Sequence, residues 1–414
     1  MLRRASAGLA ALALALAAGI SACGATAGNA RLAQTEASGD GVLRIGLLLD
    51  NAGSQAFLND AQRAAVELAV QQANAAGGHK GRPIELIPPK PSTDTAAAAR
   101  DLVAAKADVV VGPTDSTHAP AAIDVLSKAK VVLISPANLD ASLSTYSSGG
   151  YYFRTAASET SEGAALVALA KAGDARSVAI LRQKGTYGKA VGAAVASAAA
   201  AAGLGEKGSA EFTGHDARSA AAGAVAAGAD AVVVVARDEA QAVLAQVHDG
   251  GVPGAKLLLS DGAVGQYGTG LASGALDGAR GLVPGAFPNS GFQTDVLKQD
   301  PGLKDMTFAA EAYDAAALAI LAAGAAQDDG GASIASHLIG VSGGTASGSG
   351  QRTKCTILTE CLSLEAKGTA VDYDGQSGPI GFDANGDVTA ANFTVFRFGA
   401  DNRGRMVGSQ AVAR

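Results

Sequence analysis

The feature that most constrains the fold is a regular alternation of short apolar runs with helix-like segments from Val42 onward. The first apolar runs lie at 42–49, 84–87, 108–111 and 131–134, and the helical patterns between them at 55–74, 95–106 and 116–128. This alternation predicts parallel strands joined by helices that cover both faces of a sheet. A second series of the same kind runs from 160 to 260. The sequence therefore predicts two α/β lobes.

The chain continues beyond these two series. It contains an Ala-rich helical pattern at 308–325, another near 333–339, a Gly/Ser-rich loop at 342–350 and strand-like segments near 379–382 and 393–398. Elements left over after two complete lobes must return to one or both of them. Several crossovers between lobes predict a cleft that can open and close about a hinge.

Composition narrows the class of function. The 414 residues carry 32 basic and 38 acidic side chains, for a net charge of −6, which argues against nucleic acid as a partner. Three cysteines and five scattered histidines argue against a disulfide scaffold and a zinc site, and we expect neither a metal nor another cofactor. The G-x-S-x-G match at 340–344 lies in a loop rather than between a strand and a helix. We therefore do not expect an enzyme.

The N-terminus predicts export from the cytoplasm. Residues 1–22 combine a basic start, an apolar run at 7–18 and small residues before Cys23, as in a secretory signal peptide. The sequence ISAC at 20–23 resembles the lipobox of bacterial lipoproteins, in which the cysteine is lipidated. An ordinary signal peptide with a free Cys23 is the alternative. Residues 23–41 then form a lipid-anchored flexible tether, and this lipid is the only predicted membrane attachment.

Two further cysteines lie near the C-terminal part of the chain. Cys355 and Cys361 are six positions apart, which allows a disulfide to close a short loop in an oxidising compartment. The alternative is a pair of unpaired buried thiols.

Ligands of open parallel sheets bind beyond the carboxyl ends of the strands, where helix N-termini present free N–H groups. Two predicted strand-end loops, GPTDST at 112–117 and SPAN at 135–138, offer hydroxyl and amide groups at helix starts. They are candidate ligand-binding loops, although helix capping alone is the alternative.

Several motifs in order resemble one known family. They are IGLL at 45–48 leading into GSQAF at 53–57, NAAGG at 74–78, ISPAN at 134–138, YFRT at 152–155, YG at 187–188, EAYDA at 311–315, and DYDG at 372–375 running into GPIGFD at 378–383. This set is similar to the type I periplasmic solute-binding proteins, specifically the branched-chain amino acid (Leu/Ile/Val) binding lipoproteins of ABC importers.

The resemblance implies an α/β fold of two Rossmann-like lobes joined by three hinge crossovers, near 154–155, 282–284 and 378–382. It divides the chain into lobe 1, residues 42–154 plus 284–377, and lobe 2, residues 155–283 plus 378–414. It also implies an extracytoplasmic, lipid-anchored protein that captures an amino acid or related small polar solute for ABC permease subunits. A receptor that uses the same cleft to signal to a membrane partner is the alternative.

The resemblance further implies which residues bind the ligand. A ligand carboxylate would meet Ser116 and Thr117 at one helix start and the loop that contains Ala137 and Asn138. A zwitterion in a dry cleft needs both charges paired. Its ammonium would meet Asp261 of the other lobe, for which a turn aspartate is the alternative.

Aromatic positions and three departures complete the predicted site. Tyr187 matches a ring that follows a strand, and Phe57 or Leu58 lies where the family places a ring near the ligand. Leu139 replaces a usual Thr or Ser, so one carboxylate hydroxyl is missing, and Asp115 adds a negative charge beside Ser116. Arg237, at the end of a predicted strand, either counters that charge, binds an anion or lies exposed on the surface.

Overall fold

The computed structural model describes residues 28–52, 56–90, 92–344 and 351–413. Its strands are β1 (Arg44–Leu47), β2 (Glu85–Ile87), β3 (Val109–Val111), β4 (Val132–Ser135), β5 (Tyr152–Arg154), β6 (Ser177–Gln183), β7 (Gly205–Glu206), β8 (Ala210–Phe212), β9 (Ala231–Val235), β10 (Leu257–Leu259), β11 (Arg280–Pro284), β12 (Thr353–Cys355), β13 (Val371–Tyr373), β14 (Ala390–Phe398) and β15 (Gly404–Ala413). Its helices are α1 (Phe57–Ala75), α2 (Thr95–Ala104), α3 (Ala119–Leu126), α4 (Glu159–Ala172), α5 (Thr186–Ala201), α6 (Ala217–Ala226), α7 (Ala240–Asp249), α8 (Ser290–Gln299), α9 (Ala309–Ala326), α10 (Gly331–Val341) and α11 (Leu358–Glu365).

The first lobe is built on a parallel sheet in the order β2-β1-β3-β4-β5. The three valines of β3 are fully buried, as expected for a central strand that has helices on both faces. Helix α1 buries one face of apolar residues and small alanines. These elements confirm the parallel α/β lobe that the alternating sequence pattern predicts.

The second lobe contains the other large sheet, in the order β15-β14-β11-β10-β9-β6-β7, with β8 also paired to β6. Strands β6 to β11 pair in parallel, whereas β14 and β15 pair antiparallel at one edge. Helix α4 packs against α5 and against β15 and β11. The chain thus completes a second α/β lobe, with a hairpin added at the end of the sheet.

The chain passes between the two lobes three times. It leaves the first sheet after β5, returns after β11 so that α8 and α9 pack against α1, and leaves again before β14. Among the described residues, α9 is the one helix long and apolar enough to cross a membrane, but 83% of it is buried inside the protein. It is therefore a central core helix of the first lobe.

One predicted strand is absent from the structure, whereas the predicted disulfide is present. The strand expected at 379–382 is not a sheet strand, because Gly378 and Gly381 have positive φ and Phe382 forms only an isolated bridge with Val388. The predicted disulfide between Cys355 and Cys361 is present, and it joins β12 to α11. Residues 1–22, Cys23 and the Gly/Ser-rich residues 345–350 lie outside the described residues.

The segment 23–41 was predicted to be a flexible tether, but its described part, residues 28–41, is bound to the protein. From Gly28 onward the chain lies on the first lobe, and the guanidinium of Arg31 is buried over the ring of Phe153. Backbone N–H groups of residues 38–41 donate to the carboxylates of Asp328 and Asp329 at 3.0–3.1 Å. Small polar composition gives no sign of these two acceptors, which lie almost 300 residues away in sequence.

Candidate functional site

A cavity of about 570 Å³ opens between the two lobes. On the first lobe it is lined by loops that follow β1, β3 and β4, and on the second by the start of α4 and by loops that follow β6 and β9. The residues that line the cavity include Leu58, Asp115, Ser116, Thr117, Ala137, Leu139, Glu159, Lys184, Tyr187, Arg237 and Phe308. The cavity therefore lies at the carboxyl ends of strands in both sheets, where ligands of parallel sheets bind.

Ser116 lies at the centre of the wall that the first lobe contributes. Its hydroxyl oxygen accepts the N–H of Leu139 at 3.0 Å and that of Asp140 at 3.3 Å. The hydroxyl joins two strand-end loops, and because its oxygen accepts both bonds, its own hydrogen is left to donate. It can donate to an acceptor in the cavity, such as a carboxylate.

The charge of Asp115 is directed to its own loop. One carboxylate oxygen accepts the backbone N–H of Thr117 at 2.8 Å and the hydroxyl of Thr117 at 2.7 Å. This arrangement is a local Asx turn at the start of a helical segment. Thr117 lines the cavity, but its hydroxyl already donates to this carboxylate.

Ala137 and Asn138 have different surroundings, although they are neighbours. Ala137 lines the cavity, whereas the side chain of Asn138 is fully buried. The Asn138 amide donates to the carbonyls of Pro113 and Thr114, both at 3.1 Å, and accepts the hydroxyl of Tyr152 at 3.1 Å. Asn138 therefore holds the two cavity-lining loops together and does not itself point into the cavity.

The second lobe contributes a layered wall of polar groups. The hydroxyl of Tyr187 donates to the carboxylate of Asp261, and it lies 3.4 Å from a carboxyl oxygen of Glu162. The backbone N–H of Asp261 donates to the other oxygen of Glu162 at 2.6 Å. Asp261 lies behind Tyr187 and Arg237, with 13% of its side chain exposed. The structure thus brings together the predicted residues Tyr187, Asp261 and Arg237.

Arg237 covers this wall on the side of the cavity. Its guanidinium stacks on the ring of Tyr187 with 3.7 Å between the central carbon and the ring centroid. One guanidinium nitrogen, Nη2, lies 3.5 Å from a carboxylate oxygen of Glu159 and 3.7 Å from a carboxylate oxygen of Asp261. Arg237 lines the cavity, and 45% of its side chain is exposed. It therefore faces the cavity while it pairs with these two carboxylates.

Burial changes the protonation of the carboxyl groups in this wall. It raises the pKa of Glu159 to about 7, although the positive charge of Arg237 acts in the opposite direction. The pKa of Glu162 is raised well above its ordinary value, first by complete burial and then by the negative charge of Asp261. At neutral pH Glu159 is therefore only partly ionised, and burial favours the neutral form of Glu162. Within the described residues, no group of three or more His, Cys, Asp or Glu side chains is placed to hold a metal ion.

One predicted site residue lies outside the cavity, and two residues of the second-lobe wall were not predicted from the sequence. Phe57 is 48% exposed and does not line the cavity, whereas the adjacent Leu58 does. Glu159 and Glu162 were not predicted, because two acids in the first turn of a helix are typical of dipole stabilisation. Their position directly after the first crossover is the sequence signal that could have identified them.

A buried arginine connects the cavity-lining loops to the crossovers between the lobes. Arg154, at the end of β5, is fully buried and donates through Nε to Asp387 at 2.7 Å. Its Nη1 donates to the carbonyls of Asn138 at 3.1 Å and Asp140 at 2.8 Å. The first crossover, the loop after β4 and the third crossover therefore meet at one side chain.

Solved structures of known proteins share this fold. The substrate-binding protein LivJ of a branched-chain amino acid transporter from Streptococcus pneumoniae, solved with isoleucine, is 22% identical, with a TM-score of 0.60 over 90% of this chain and 100% of that one. A periplasmic ligand-binding protein of a branched-chain amino acid ABC transporter from Burkholderia xenovorans is 15% identical, with a TM-score of 0.68 over 89% and 95%. An ABC transporter solute binding protein from R. palustris, solved with benzoate, is 18% identical, with a TM-score of 0.56 over 90% and 98%.

These likenesses establish the fold. A search of curated proteins by sequence gives no significant match. The family model described as periplasmic binding protein, in contrast, matches residues 42–403, which is most of the chain. The resemblance predicted from the sequence motifs is confirmed, and the chain belongs to the periplasmic binding protein family.

Proposed function

We propose that this protein is the solute receptor of an ABC importer, and that it captures an amino acid or a related small polar carboxylate or amide in the cavity between its lobes. The observation that carries the proposal is the cavity itself, whose two walls come from different lobes. A solute that contacts both walls stabilises the closed form by its differential contacts with that form. No bond is made or broken in this cycle.

The hinge supports this proposal. Three crossovers join the lobes, and we propose lobe boundaries at 42–154 plus 284–377 and at 155–283 plus 378–414. A few residues in such crossovers can absorb the dihedral changes of closure while each sheet moves as a unit.

The wall of the first lobe supports a carboxylate as part of the ligand. We propose that Ser116 donates to it and that Thr117, Ala137 and Asn138 shape the surrounding loops, Asn138 from behind. On the second lobe, Tyr187, Asp261 and Arg237 form the opposing wall, and Phe57 lies at the margin. Solved relatives were captured with isoleucine and with benzoate, which are both small carboxylates.

We also propose that a lipid on Cys23 anchors the protein outside the cytoplasm. Residues 28–41 lie on the first lobe, so such an anchor would hold this lobe close to the membrane and to a permease. Metabolic labelling with an alkyne fatty acid tests the anchor. Label should appear on the full chain and be absent from Cys23→Ala, and labelling of the variant would refute the assignment.

Ligand capture is tested on the mature chain carrying Cys23→Ser, after unfolding and refolding to remove bound solute. Thermal shift and calorimetry would cover amino acids, their amides, carboxylates and sugars. A ligand at about 100 times its Kd adds about 2.7 kcal/mol to the free energy of unfolding, which is easily measured. We expect at least one compound to bind with one site per chain, and failure of all four classes would refute the proposal.

A matched pair of variants assigns the binding to the cavity. Ser116→Ala removes a donor from the first-lobe wall and should weaken a carboxylate about tenfold, the worth of a hydrogen bond to a charged group. Ser219→Ala, an exposed serine on α6, should leave affinity unchanged. Uptake of the labelled ligand by cells, lost when the gene is deleted, separates import from a signalling receptor.

A further inference from the structure

Arg237 already occupies the position in which a ligand cation would be paired. The acceptors available on the second-lobe wall are the carboxylates of Asp261 and Glu159, and one nitrogen of Arg237 lies within 3.7 Å of both. The face of Tyr187, which can also attract a cation, is covered by the same guanidinium. A second cation in this place would displace Arg237 or approach it at short range.

The charges of the wall give the same result. Glu162 is buried and accepts the backbone N–H of Asp261, and burial raises the pKa of its carboxyl well above the ordinary value, which favours the neutral form. The guanidinium of Arg237 is a fixed cation beside the other two carboxyl groups, those of Asp261 and Glu159. A ligand ammonium would bring a second cation into this partly desolvated site.

The remaining donors face the cavity and suit an anion. Nearly half of the Arg237 side chain is exposed there, and a guanidinium has five N–H groups, which can bind a carboxylate in bidentate fashion. Ser116 offers its hydroxyl hydrogen from the opposite wall. The carboxylate of Asp115 accepts two hydrogen bonds from Thr117, and these partly offset its electrostatic repulsion of an anion.

From this arrangement we infer that the solute is an organic carboxylate without an α-ammonium group, and that Arg237 replaces the ligand ammonium and determines this specificity. The inference rests on the proposed function, whose ligand class it narrows. The apolar side chain of Leu139 also lines the cavity and supports this inference, because it favours contact with an apolar part of the ligand.

The test uses pairs of compounds that share a carboxylate and a side chain and differ at the amino group. Suitable pairs are leucine with 4-methyl-2-oxopentanoate, phenylalanine with 3-phenylpropanoate, and alanine with pyruvate. Calorimetry on the mature chain at about pH 7 gives the affinity ratio within each pair. We expect the compound without the ammonium to bind at least about tenfold more tightly in every pair that binds.

Two variants identify the cause of this preference. Arg237→Met keeps the length of the stem but removes the cation that pairs with Asp261 and Glu159. These carboxylates can then pair with a ligand ammonium, so the ratio should move about tenfold or more toward the amino acid. Arg218→Met is the matched control, because it removes an arginine from an exposed ion pair with Asp249, outside the cavity lining. Its ratio should stay within about threefold of the wild-type ratio.

The outcomes separate the two proposals. Tighter binding of amino acids by the wild type would refute the inference and leave the receptor function intact, as would an unchanged ratio in Arg237→Met. If Arg237→Met does not fold by circular dichroism, Arg237→Gln gives the same reading, and the wild-type ratio decides in any case. Absence of binding by amino acids, carboxylates, amides and sugars alike would refute the receptor function and the inference with it.

Discussion

Glu311 should make the protein more stable in mild acid than in mild base. Its side chain is buried in a small cavity lined by residues of all three crossovers, among them Thr155, Gly285 and Ser377. Burial raises the pKa of its carboxyl from 4.5 to about 8, and the negative charge of Asp314 adds to the rise. The carboxyl is therefore protonated in the folded protein at neutral pH and ionised in the unfolded chain.

The direction of the effect follows from proton binding. Between the unfolded pKa of 4.5 and the folded value of about 8, the folded state holds a proton that the unfolded state has lost. The free energy of unfolding must then fall as the pH rises through this window. For one such group the loss between about pH 5 and about pH 8 is about 3 to 4 kcal/mol.

Glu311→Gln isolates this contribution, because glutamine has nearly the same shape and does not titrate. Urea unfolding followed by far-ultraviolet circular dichroism gives the free energy of unfolding at both pH values. We expect the acid-minus-base difference to be smaller in the variant than in the wild type by about 3 kcal/mol. The exposed Glu206→Gln should leave the difference unchanged. An identical difference in Glu311→Gln and the wild type would refute the reasoning.

Three other perturbations have defined outcomes. Arg154→Met removes the buried arginine that pairs with Asp387 and should cost about 3–5 kcal/mol in urea unfolding, so a loss below about 1 kcal/mol would contradict this pairing. Replacing Cys355 and Cys361 with serine opens a short loop and should cost about 2 kcal/mol while ligand affinity stays constant, and a change in affinity would link the disulfide to the cavity. Asp329→Ala removes the acceptor for two backbone N–H groups, so limited proteolysis should cut within 28–41 faster than in the wild type, and equal rates would mean that this carboxylate does not hold the segment.

The architecture was predictable because its signals are local. Apolar runs such as the three valines of β3 and the intervening amphipathic helices repeat along the sequence, and their alternation fixes a parallel sheet. Strand β15 was missed for the opposite reason. It is a sheet edge with mostly exposed side chains, so it lacks the apolar pattern of a buried strand. The small β12–β13 pair is too short to give a pattern at all.

Residues 28–41 show a second limit of local reasoning. Their composition is typical of a linker, and the groups that hold them are backbone N–H donors, which every such segment possesses. What decides between a free and a bound segment is the presence of acceptors elsewhere in the chain. Asp328 and Asp329 supply them from the turn between α9 and α10. A long-range contact of this kind has no signature in the segment itself.

The cavity wall of the second lobe was predictable in part from topology and in part only from its long-range contacts. In the sheet order β6-β9-β10 the ends of three neighbouring strands meet, so topology alone brings Tyr187, Arg237 and Asp261 to one place. Each residue also has an ordinary local interpretation, as a helix-start ring, a surface cation and a turn aspartate, and sequence alone does not choose between them. Their contacts do choose, because Arg237 pairs with Asp261 and stacks on Tyr187 at once. The ligand charge that we propose therefore follows from the pairs that the wall already forms, in which Arg237 supplies the cation from the protein itself.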